Sequence, residues 1–264
     1  MYYLGIDLGG TNIAIGIVDE NYNLILKEKV PTKKQRETSE IIDDMANLCT
    51  RLVERANLTF DDIAYVGIAT PGSVDPETGV VRYSNNVRME NYPIADELKK
   101  RIPLKEVYIE NDANAAALAE AKVGAGRGCS DIIMITLGTG VGGGIVIGGK
   151  LYSGFNYSGG ELGHIVIEHN GRPCTCGRKG CWEQYASATA LIREATAAAK
   201  SNPDSILSKL YEGNFEEMTG ELIFEALDSD CPVAKDVFDK VDDDEYIFLM
   251  NLIEWKEESI YLMS

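Results

Sequence analysis

Hydrophobic and polar positions follow the same layout in two separate parts of the chain. Residues 2–18 form two apolar runs around a Gly-Gly turn, with isoleucine at alternate positions of the second run. Residues 132–147 repeat this layout around the glycine-rich turn 138–144. Period-two alternation on either side of a glycine turn predicts a β-hairpin. The recurrence of strand, glycine turn and strand indicates an internal duplication.

Other segments have the helical period instead. Apolar residues recur at three- and four-residue spacing over 41–53, which predicts an amphipathic helix that runs to about Asn57, with Thr38 or Ser39 as its N-cap. Strands are expected at 63–69 and 106–109. Further helices are expected at residues 91–101, 113–123, 186–200 and 216–227. This alternation predicts an α/β fold with a mixed sheet.

The chain of 264 residues suits two medium domains. We expect an N-terminal α/β lobe at 1–115 and a C-terminal α/β lobe at 116–240, with a glycine-rich link near 124–128. Residues 241–264 carry seven acidic side chains and one basic one, so we treat them as a divergent acidic tail.

Charge limits the classes of partner. The chain has 25 basic and 42 acidic residues, a formal net charge of −17, which argues against nucleic acid or an anionic membrane as the main partner. A small anionic ligand held by backbone N–H groups and Mg²⁺ remains compatible with it. The sequence contains no 18-residue apolar stretch and begins without a signal peptide, so we expect a cytoplasmic protein with reduced thiols.

One histidine and three cysteines come close together in the sequence: His164, Cys174, Cys176 and Cys181. In a reduced compartment this set predicts a structural Zn²⁺ site of the Cys₃His type. The alternatives are four unrelated side chains or a disulfide. Cys49, Cys129 and Cys231 are expected to be buried apolar residues, and His169 a surface residue.

The glycine turns are candidates for binding phosphate. Gly138, Gly140 and Gly143 match the spacing of a dinucleotide fingerprint, but a strand follows the turn where that motif needs a helix. Each turn alone could be only a tight turn. Because both carry a threonine, we expect two phosphate-binding loops facing each other across a cleft. Asp7 could hold Mg²⁺ through water, or could simply cap its turn.

Three carboxylates are candidates for the chemistry. Glu161 and Glu183 flank the cysteine–histidine cluster, so a metal there would position both of them for sugar hydroxyls; each alone could be a solvated surface acid. Asp112 follows the apolar strand 107–109, where ligands of open α/β sheets bind. It could act as a general base in phosphoryl transfer or be only a helix N-cap.

Taken together, these segments resemble the ROK family (repressors, open reading frames, kinases) and, within it, bacterial ATP-dependent glucokinases. The resemblance runs from residue 3 to about 235. Its most specific parts are Gly160-Glu161-Leu162-Gly163-His164, Cys174-Thr175-Cys176-Gly177-Arg178-Lys179-Gly180-Cys181-Trp182-Glu183 and Glu110-Asn111-Asp112-Ala113-Asn114-Ala115. The segments Asp7–Thr11 and Leu137–Gly142 are shared more widely among actin-like ATPases.

The resemblance implies an actin-like ATPase (ribonuclease H-like) fold, with two lobes, mixed sheets and a central cleft. It implies that Asp112 is the base for the 6-hydroxyl of glucose. The sugar-binding candidates are Gly72, Asn111, Glu161, His164 and Glu183, with His164 serving zinc through one ring nitrogen and sugar through the other. The candidates for ATP and its Mg²⁺ are Asp7, Gly9, Gly10, Thr11, Asn12, Gly138, Thr139 and Gly140. Homodimers or homotetramers are expected.

The tail departs from the family pattern. A helix, a strand and a glycine turn near the adenine would normally follow Val237, then a last helix that packs on the first lobe. We therefore expect an early stop or a disrupted reading frame over 241–264, with sugar and zinc binding better preserved than nucleotide binding. A relative that binds hexose and zinc without catalysis is the alternative function.

The resemblance also leaves the substrates open. Fructose, N-acetylglucosamine and N-acetylmannosamine remain alternatives to glucose, and polyphosphate remains an alternative to ATP. A transcriptional repressor of this family would carry a helix-turn-helix before the first strand. Because that strand begins at residue 2 and the net charge is −17, a repressor is not expected.

Overall fold

The structure is a computed structural model that describes residues 1–210, 218–241 and 260–263. The chain divides into two compact units. The first comprises Met1–Gly128 and Lys150–Gly159, and the second comprises Cys129–Gly149 and the chain from Gly160 onward. Within the described residues, no helix is both long and apolar enough to cross a membrane.

The first unit contains a five-stranded sheet and a small three-stranded sheet. The strands, in chain order, are β1 (Tyr2–Leu8), β2 (Asn12–Asp19), β3 (Leu24–Pro31), β4 (Ile63–Thr70), β5 (Ser73–Asp75), β6 (Val80–Ser84), β7 (Met89–Tyr92) and β8 (Val107–Asn111). The large sheet has the order β3-β2-β1-β4-β8, and β5, β6 and β7 form the small one. The large sheet is mixed, since β1 pairs antiparallel with β2 and parallel with β4.

The first hairpin is confirmed. In its register Leu4 lies opposite Ile17 and Ile6 opposite Ile15, so the alternating isoleucines lie on one face of the sheet. All of these side chains are buried. The small residues between them lie on the other face, as the pleat requires.

Helix α1 (Thr38–Arg55) covers the buried face of this sheet with eight apolar side chains. The predicted N-cap is wrong by one residue or two, because Glu37 occupies that position. The Glu37 backbone N–H donates to Glu40 Oε2 at 3.2 Å, so the first turn is closed by an acid three residues further on rather than by a hydroxyl.

Helix α2 (Ile94–Lys99) is shorter than predicted. Residues 91 and 92 belong to β7, which pairs with β6, and Pro93 separates the strand from the helix. The predicted helix over 91–101 therefore began too early. Strands β5 to β7 were missed because each is short and their burial is not strictly alternating.

Helix α3 (Asp112–Val123) starts directly at the end of β8. It contacts β8, β4 and the short strand β11 (Lys150–Leu151), which places it in the first unit. The unit thus extends to Gly128, whereas the sequence suggested a boundary at 115. The chain leaves the unit at the glycine-rich link 124–128, where few side chains are available for packing.

The second unit contains strands β9 (Ile132–Leu137), β10 (Val141–Ile147) and β12 (Ile260–Met263). The second predicted hairpin is confirmed, since β9 and β10 pair antiparallel around the turn 138–140. Strand β12 pairs parallel with β9. This strand is not predicted by the sequence of the tail, where the apolar residues occur in patches without a clear period. Residues 242–259 and 264 of that tail lie outside the described residues.

Helices complete this unit: α4 (Glu183–Ala186), α5 (Ala188–Ser201), α6 (Ile206–Leu210), α7 (Gly220–Asp228) and α8, residues 232–241. Apolar side chains of α5 to α8 pack into one cluster that includes Ala195, Leu207 and Ile223. The helix expected from Glu216 begins instead at Gly220, where the Thr219 hydroxyl caps it. Residues 211–217 lie outside the described residues.

Replacing Ile17 by alanine should lower the free energy of unfolding by about 2–5 kcal/mol, because this side chain of β2 is fully buried in the core that also contains the apolar residues of α1. Ile25, in β3, is 44% exposed, so Ile25→Ala should change it by less than about 0.5 kcal/mol. Urea denaturation of both variants measures the difference. Equal losses would contradict the assignment of Ile17 to the core.

Candidate functional site

Four metal-ligating side chains converge in the second unit. The ligand atoms of His164, Cys174, Cys176 and Cys181 all lie within 4.8 Å of one another. Cys174 Sγ lies 3.5 Å from His164 Nδ1, and Cys176 Sγ lies 3.6 Å from Cys181 Sγ. The sequence motif is therefore also a cluster in space.

These distances fit a tetrahedral Zn²⁺ site. With Zn–S near 2.3 Å and Zn–N near 2.0–2.1 Å, the edges of the tetrahedron are about 3.8 Å between sulfurs and about 3.5 Å between sulfur and nitrogen. Three thiols and an imidazole are the donor set that Zn²⁺ prefers in structural sites. Because Nδ1 of His164 faces the thiols, Nε2 remains the ring nitrogen for another partner.

Glycines allow the ligand loop to turn tightly. Gly177 has φ +87° and Gly180 has φ +78°, a region that side-chain-bearing residues rarely adopt. A Cβ at Gly180 would also overlap the carbonyl of Glu168. The Cys174 N–H donates to the Arg178 carbonyl at 2.9 Å, which closes the turn that carries Cys174 and Cys176.

The thiols ionise unequally. Burial works against ionisation of Cys176, but hydrogen bonds from Arg178 and the neighbouring thiols lower its pKa to about 6. Burial and those same thiols raise the pKa of Cys181 to about 12. Of these two thiols, Cys176, beside the Arg178 guanidinium, is therefore the one that ionises more readily.

A supporting shell around the ligands was not predicted. Gln184 Nε2 lies 3.7 Å from Cys174 Sγ, and the Gln184 carbonyl accepts a hydrogen bond from Arg172 at 3.1 Å. Arg172 also pairs with Glu194 at 2.9 Å and lies over the Tyr185 ring. The one sequence signal for these four residues is that they lie close to the cysteines along the chain. Their residue types are common in helices and loops and do not by themselves indicate a role.

Glu183 contacts the second glycine turn. Its Oε2 accepts a hydrogen bond from the Val141 N–H at 3.1 Å, and a Cβ at Gly140 would overlap the same oxygen. Glu183 therefore joins the segment that follows Cys181 to the turn 138–140. Glu161, the other acid of this region, is exposed and immediately precedes the 3-10 helix, Leu162–His164, that carries His164.

Two aspartates lie close to each other in the first unit. Asp7 is near the end of β1, and Asp112 opens α3 immediately after β8. Both are accessible to solvent. Partial desolvation, together with the negative charge of Asp112, raises the pKa of Asp7. An acid whose pKa is raised by a neighbouring acid marks a site suited to a cation or to a proton-bearing hydroxyl.

Asn111, and not Asp112, is the N-cap of α3. Asn111 Oδ1 accepts from the N–H groups of Ala113 and Asn114 at 3.0 and 3.1 Å. Its Nδ2 donates to the Gly72 carbonyl at 3.1 Å, which leaves one amide hydrogen for a ligand. The N-cap alternative for Asp112 is therefore wrong: Asp112 occupies the first helical position, where its Oδ1 accepts from the Ala113 N–H at 2.9 Å.

Gly72 is fixed by its surroundings. Its φ is +98°, and a Cβ there would overlap the Tyr83 carbonyl, so only glycine fits. The hydrogen bond from Asn111 holds this turn next to the start of α3. Two of the predicted sugar-binding residues, Asn111 and Gly72, are thus brought together within one unit.

The first glycine turn is closed by Thr32, which the sequence analysis did not identify. The Gly9 N–H donates to the Asn12 carbonyl at 2.9 Å. The buried Thr32 donates its hydroxyl to the Gly9 carbonyl at 2.6 Å, and its N–H donates to the Thr11 carbonyl at 2.8 Å. A threonine in a β-strand neighbourhood carries no sequence signal for this role.

The other three cysteines and the second histidine differ in their exposure to solvent. Cys49 and Cys231 are buried as predicted, and burial raises the pKa of Cys49 to about 12. The prediction for Cys129 is wrong, because it is exposed. It follows the glycine-rich link directly and precedes β9, in a stretch that belongs to no helix or strand. His169 lies at the surface, as expected.

Comparison with known proteins gives a consistent result. Residues 3–254 match the family described as the ROK family. The chain is 41% identical over 237 residues to the glucokinase of Streptomyces coelicolor, covering 89% of this chain and 72% of that protein. It is 41% identical over 224 residues to the glucokinase of Thermotoga maritima, covering 84% and 68%.

The solved structures give the same result. The ROK family glucokinase from Streptomyces griseus, in complex with glucose and AMPPNP, superposes with a TM-score of 0.83 at 36% identity and covers 99% of this chain and 82% of that chain. The predicted mixed α/β, actin-like ATPase fold is confirmed by this likeness.

Purified protein should contain about one Zn²⁺ per chain, and Cys176→Ser should lose most of it, because three ligands bind the ion far less tightly than four. Cys129→Ser is the matched control, since Cys129 is also exposed but lies outside the cluster. Atomic absorption gives the metal content. Full zinc in the Cys176→Ser variant would contradict the site.

Asp7→Asn should raise the free energy of unfolding at pH 7.5 in Mg²⁺-free buffer, because it removes a carboxylate whose charged form is disfavoured. When folding raises the pKa of a carboxyl group, that group stabilises the folded state at low pH. This contribution is lost as the pH rises through the pKa of the folded state. The gain should therefore shrink as pH falls toward the ordinary value of 3.8.

Urea denaturation across that pH range measures the effect. The exposed Asp96, in the first turn of α2, provides the control Asp96→Asn, which should show no comparable gain. An Asp7→Asn variant less stable than the parent at pH 7.5 would reverse the sign and contradict the electrostatic assignment.

Proposed function

We propose that this chain, which belongs to the ROK family and is a sugar kinase homologue, transfers the γ-phosphate of ATP to the 6-hydroxyl of glucose. The observation that carries the proposal is Asp112, an exposed carboxylate in the first position of α3, close to Asp7. The 41% identity to two bacterial glucokinases supports glucose as the substrate.

Asp112 acts as the general base in this proposal. As the sugar oxygen attacks the γ-phosphorus, the hydroxyl proton passes to the Asp112 carboxylate, and the bond from the γ-phosphorus to the bridging oxygen breaks to release ADP. Asn111 caps the helix and bonds the Gly72 carbonyl, so the backbone that carries Asp112 is held on two sides. Fixed geometry matters because most phosphoryl-transfer catalysis is positioning.

The sugar hydroxyls are assigned to five residues. Asn111 retains one amide hydrogen beside Gly72. His164 Nε2, Glu161 and the second oxygen of Glu183 would supply acceptors, and the other ring nitrogen of His164 faces the cysteine cluster. Zn²⁺ bound there would lock the imidazole ring in place; the histidine and the acids supply the contacts to sugar.

Phosphate oxygens are assigned to the glycine turns. Gly9, Gly10, Thr11 and Asn12 form the turn that Thr32 closes, and Gly138, Thr139 and Gly140 form the turn that Glu183 contacts. Backbone N–H groups in such turns approach anions closely. Mg²⁺ bound with ATP would neutralise phosphate charge, and Asp7 would hold it through water.

A coupled assay decides the substrates. Glucose, fructose, N-acetylglucosamine and N-acetylmannosamine are each tested with ATP·Mg²⁺ and with polyphosphate, and we expect the highest kcat/KM for glucose with ATP. A higher value for another hexose or for polyphosphate would replace that substrate assignment. If calorimetry detects glucose binding but the assay detects no product, the alternative function, hexose binding without catalysis, would replace the kinase proposal.

Asp112→Asn should lower kcat by about a hundredfold to ten-thousandfold, because the variant loses the group that accepts the proton. Glucose KM should change little, since the amide keeps the shape of the carboxylate. Asp96→Asn is the control, because Asp96 also lies in the first turn of a helix, α2. This variant should retain full activity. Near-normal turnover by the Asp112→Asn variant would show that another group is the base.

A further inference from the structure

The turn Gly138–Gly140 is held from one side by a single short segment of chain. Three hydrogen bonds join residues 138–141 to residues 183–189. This segment begins two residues after Cys181 and includes α4 and the start of α5. The turn is therefore braced by chain that is directly continuous with the cysteine–histidine cluster.

Thr189 makes the closest of these contacts. Its hydroxyl donates to the Thr139 carbonyl at 2.6 Å, across 50 residues of sequence. Next to it, the Ala188 N–H donates to the Gly138 carbonyl at 2.8 Å. The Gly138 and Thr139 carbonyls are thus bonded to the first residues of α5, whose start is itself capped by Ser187.

Glu183 holds the other end of the turn. It accepts from the Val141 N–H at 3.1 Å and lies where a Cβ on Gly140 would be, so the turn and the acid fit only with glycine there. Inside the turn, the Gly138 N–H donates to the Gly140 carbonyl at 3.0 Å. These bonds leave the N–H groups of Thr139 and Gly140 as the donors that the turn offers to a phosphate oxygen.

We propose that Thr189 is a positioning residue for phosphate transfer: by tying back the Thr139 carbonyl, it keeps the turn in the shape that presents N–H groups, and not carbonyl oxygens, to the nucleotide. A carbonyl that rotated toward a phosphate would repel it, whereas the bonded carbonyl is oriented toward α5. This inference rests on the proposed function, because it assigns the turn 138–140 to ATP.

The matched variants are Thr189→Val, which removes the hydroxyl at nearly constant volume, and Thr189→Ser, which restores it. The control is Thr196→Val in the same helix, where the hydroxyl bonds the Ile192 carbonyl at 2.7 Å and has no contact with the turn. All are prepared as the full chain with its metal, and the zinc content is measured first.

Two measurements are made. Hydrogen–deuterium exchange without ligands follows the amides of residues 138–142, and calorimetry and kinetics give the affinity and KM for ATP·Mg²⁺ and for glucose. Loss of one hydrogen bond of ordinary strength corresponds to about a two- to tenfold change. We expect Thr189→Val to speed exchange at Val141 and to raise the Kd and KM for ATP by that factor.

Glucose affinity and zinc content should stay at the parent values, Thr189→Ser should restore both measurements, and Thr196→Val should change neither. Unchanged exchange and unchanged ATP affinity in Thr189→Val would overturn the positioning role. Equal losses of ATP and glucose affinity with reduced zinc would also overturn it, since they would show general destabilisation.

Failure of this inference and failure of the proposed function are distinguishable. If the parent chain phosphorylates glucose and Thr189→Val behaves like it, only the role of Thr189 is refuted. If the parent chain binds no ATP·Mg²⁺, the proposed function is refuted and the positioning role with it, whatever the exchange data show.

Discussion

The convergence of three thiols and one imidazole is the constraint on which the second unit depends. Four candidate ligand atoms lie within 4.8 Å of one another on a loop in which Ile165, Val166 and Ile167 are all exposed. A bound metal can supply free energy that packing cannot supply there. The same loop carries His164 and leads into Glu183 and α5, so one local interaction sets the position of several polar groups.

The structure uses glycine where chain segments must approach each other closely. Gly180 lies against the Glu168 carbonyl, Gly140 against the Glu183 carboxylate and Gly72 against the Tyr83 carbonyl. In each case a methyl group would displace backbone or a functional side chain. Glycine at these three positions therefore lets a carbonyl or carboxylate oxygen approach the backbone without a steric barrier.

The first unit accepts an electrostatic cost at its candidate site. Asp7 and Asp112 lie close enough for one to raise the other's pKa, and partial desolvation adds to the effect. The large, uniformly apolar core beneath the sheet offsets this cost, because Leu4, Ile6, Ile15 and Ile17 are all buried. A repulsive pair at the end of two strands has a use when a cation or a proton is to be bound between acidic groups.

The sequence by itself determined the two hairpins, helix α1 and the cysteine–histidine cluster, because each depends on local period or on a spacing of residue types typical of a metal site. It also carried the family resemblance, which the 41% identity to glucokinases confirmed. Only the tertiary structure decided that Asn111 rather than Asp112 caps α3, that Glu37 rather than Thr38 caps α1, and that Cys129 is exposed. The roles of Thr32, Gln184 and Thr189 were equally hidden, because a single hydrogen bond between residues far apart in sequence leaves no periodic pattern along the chain.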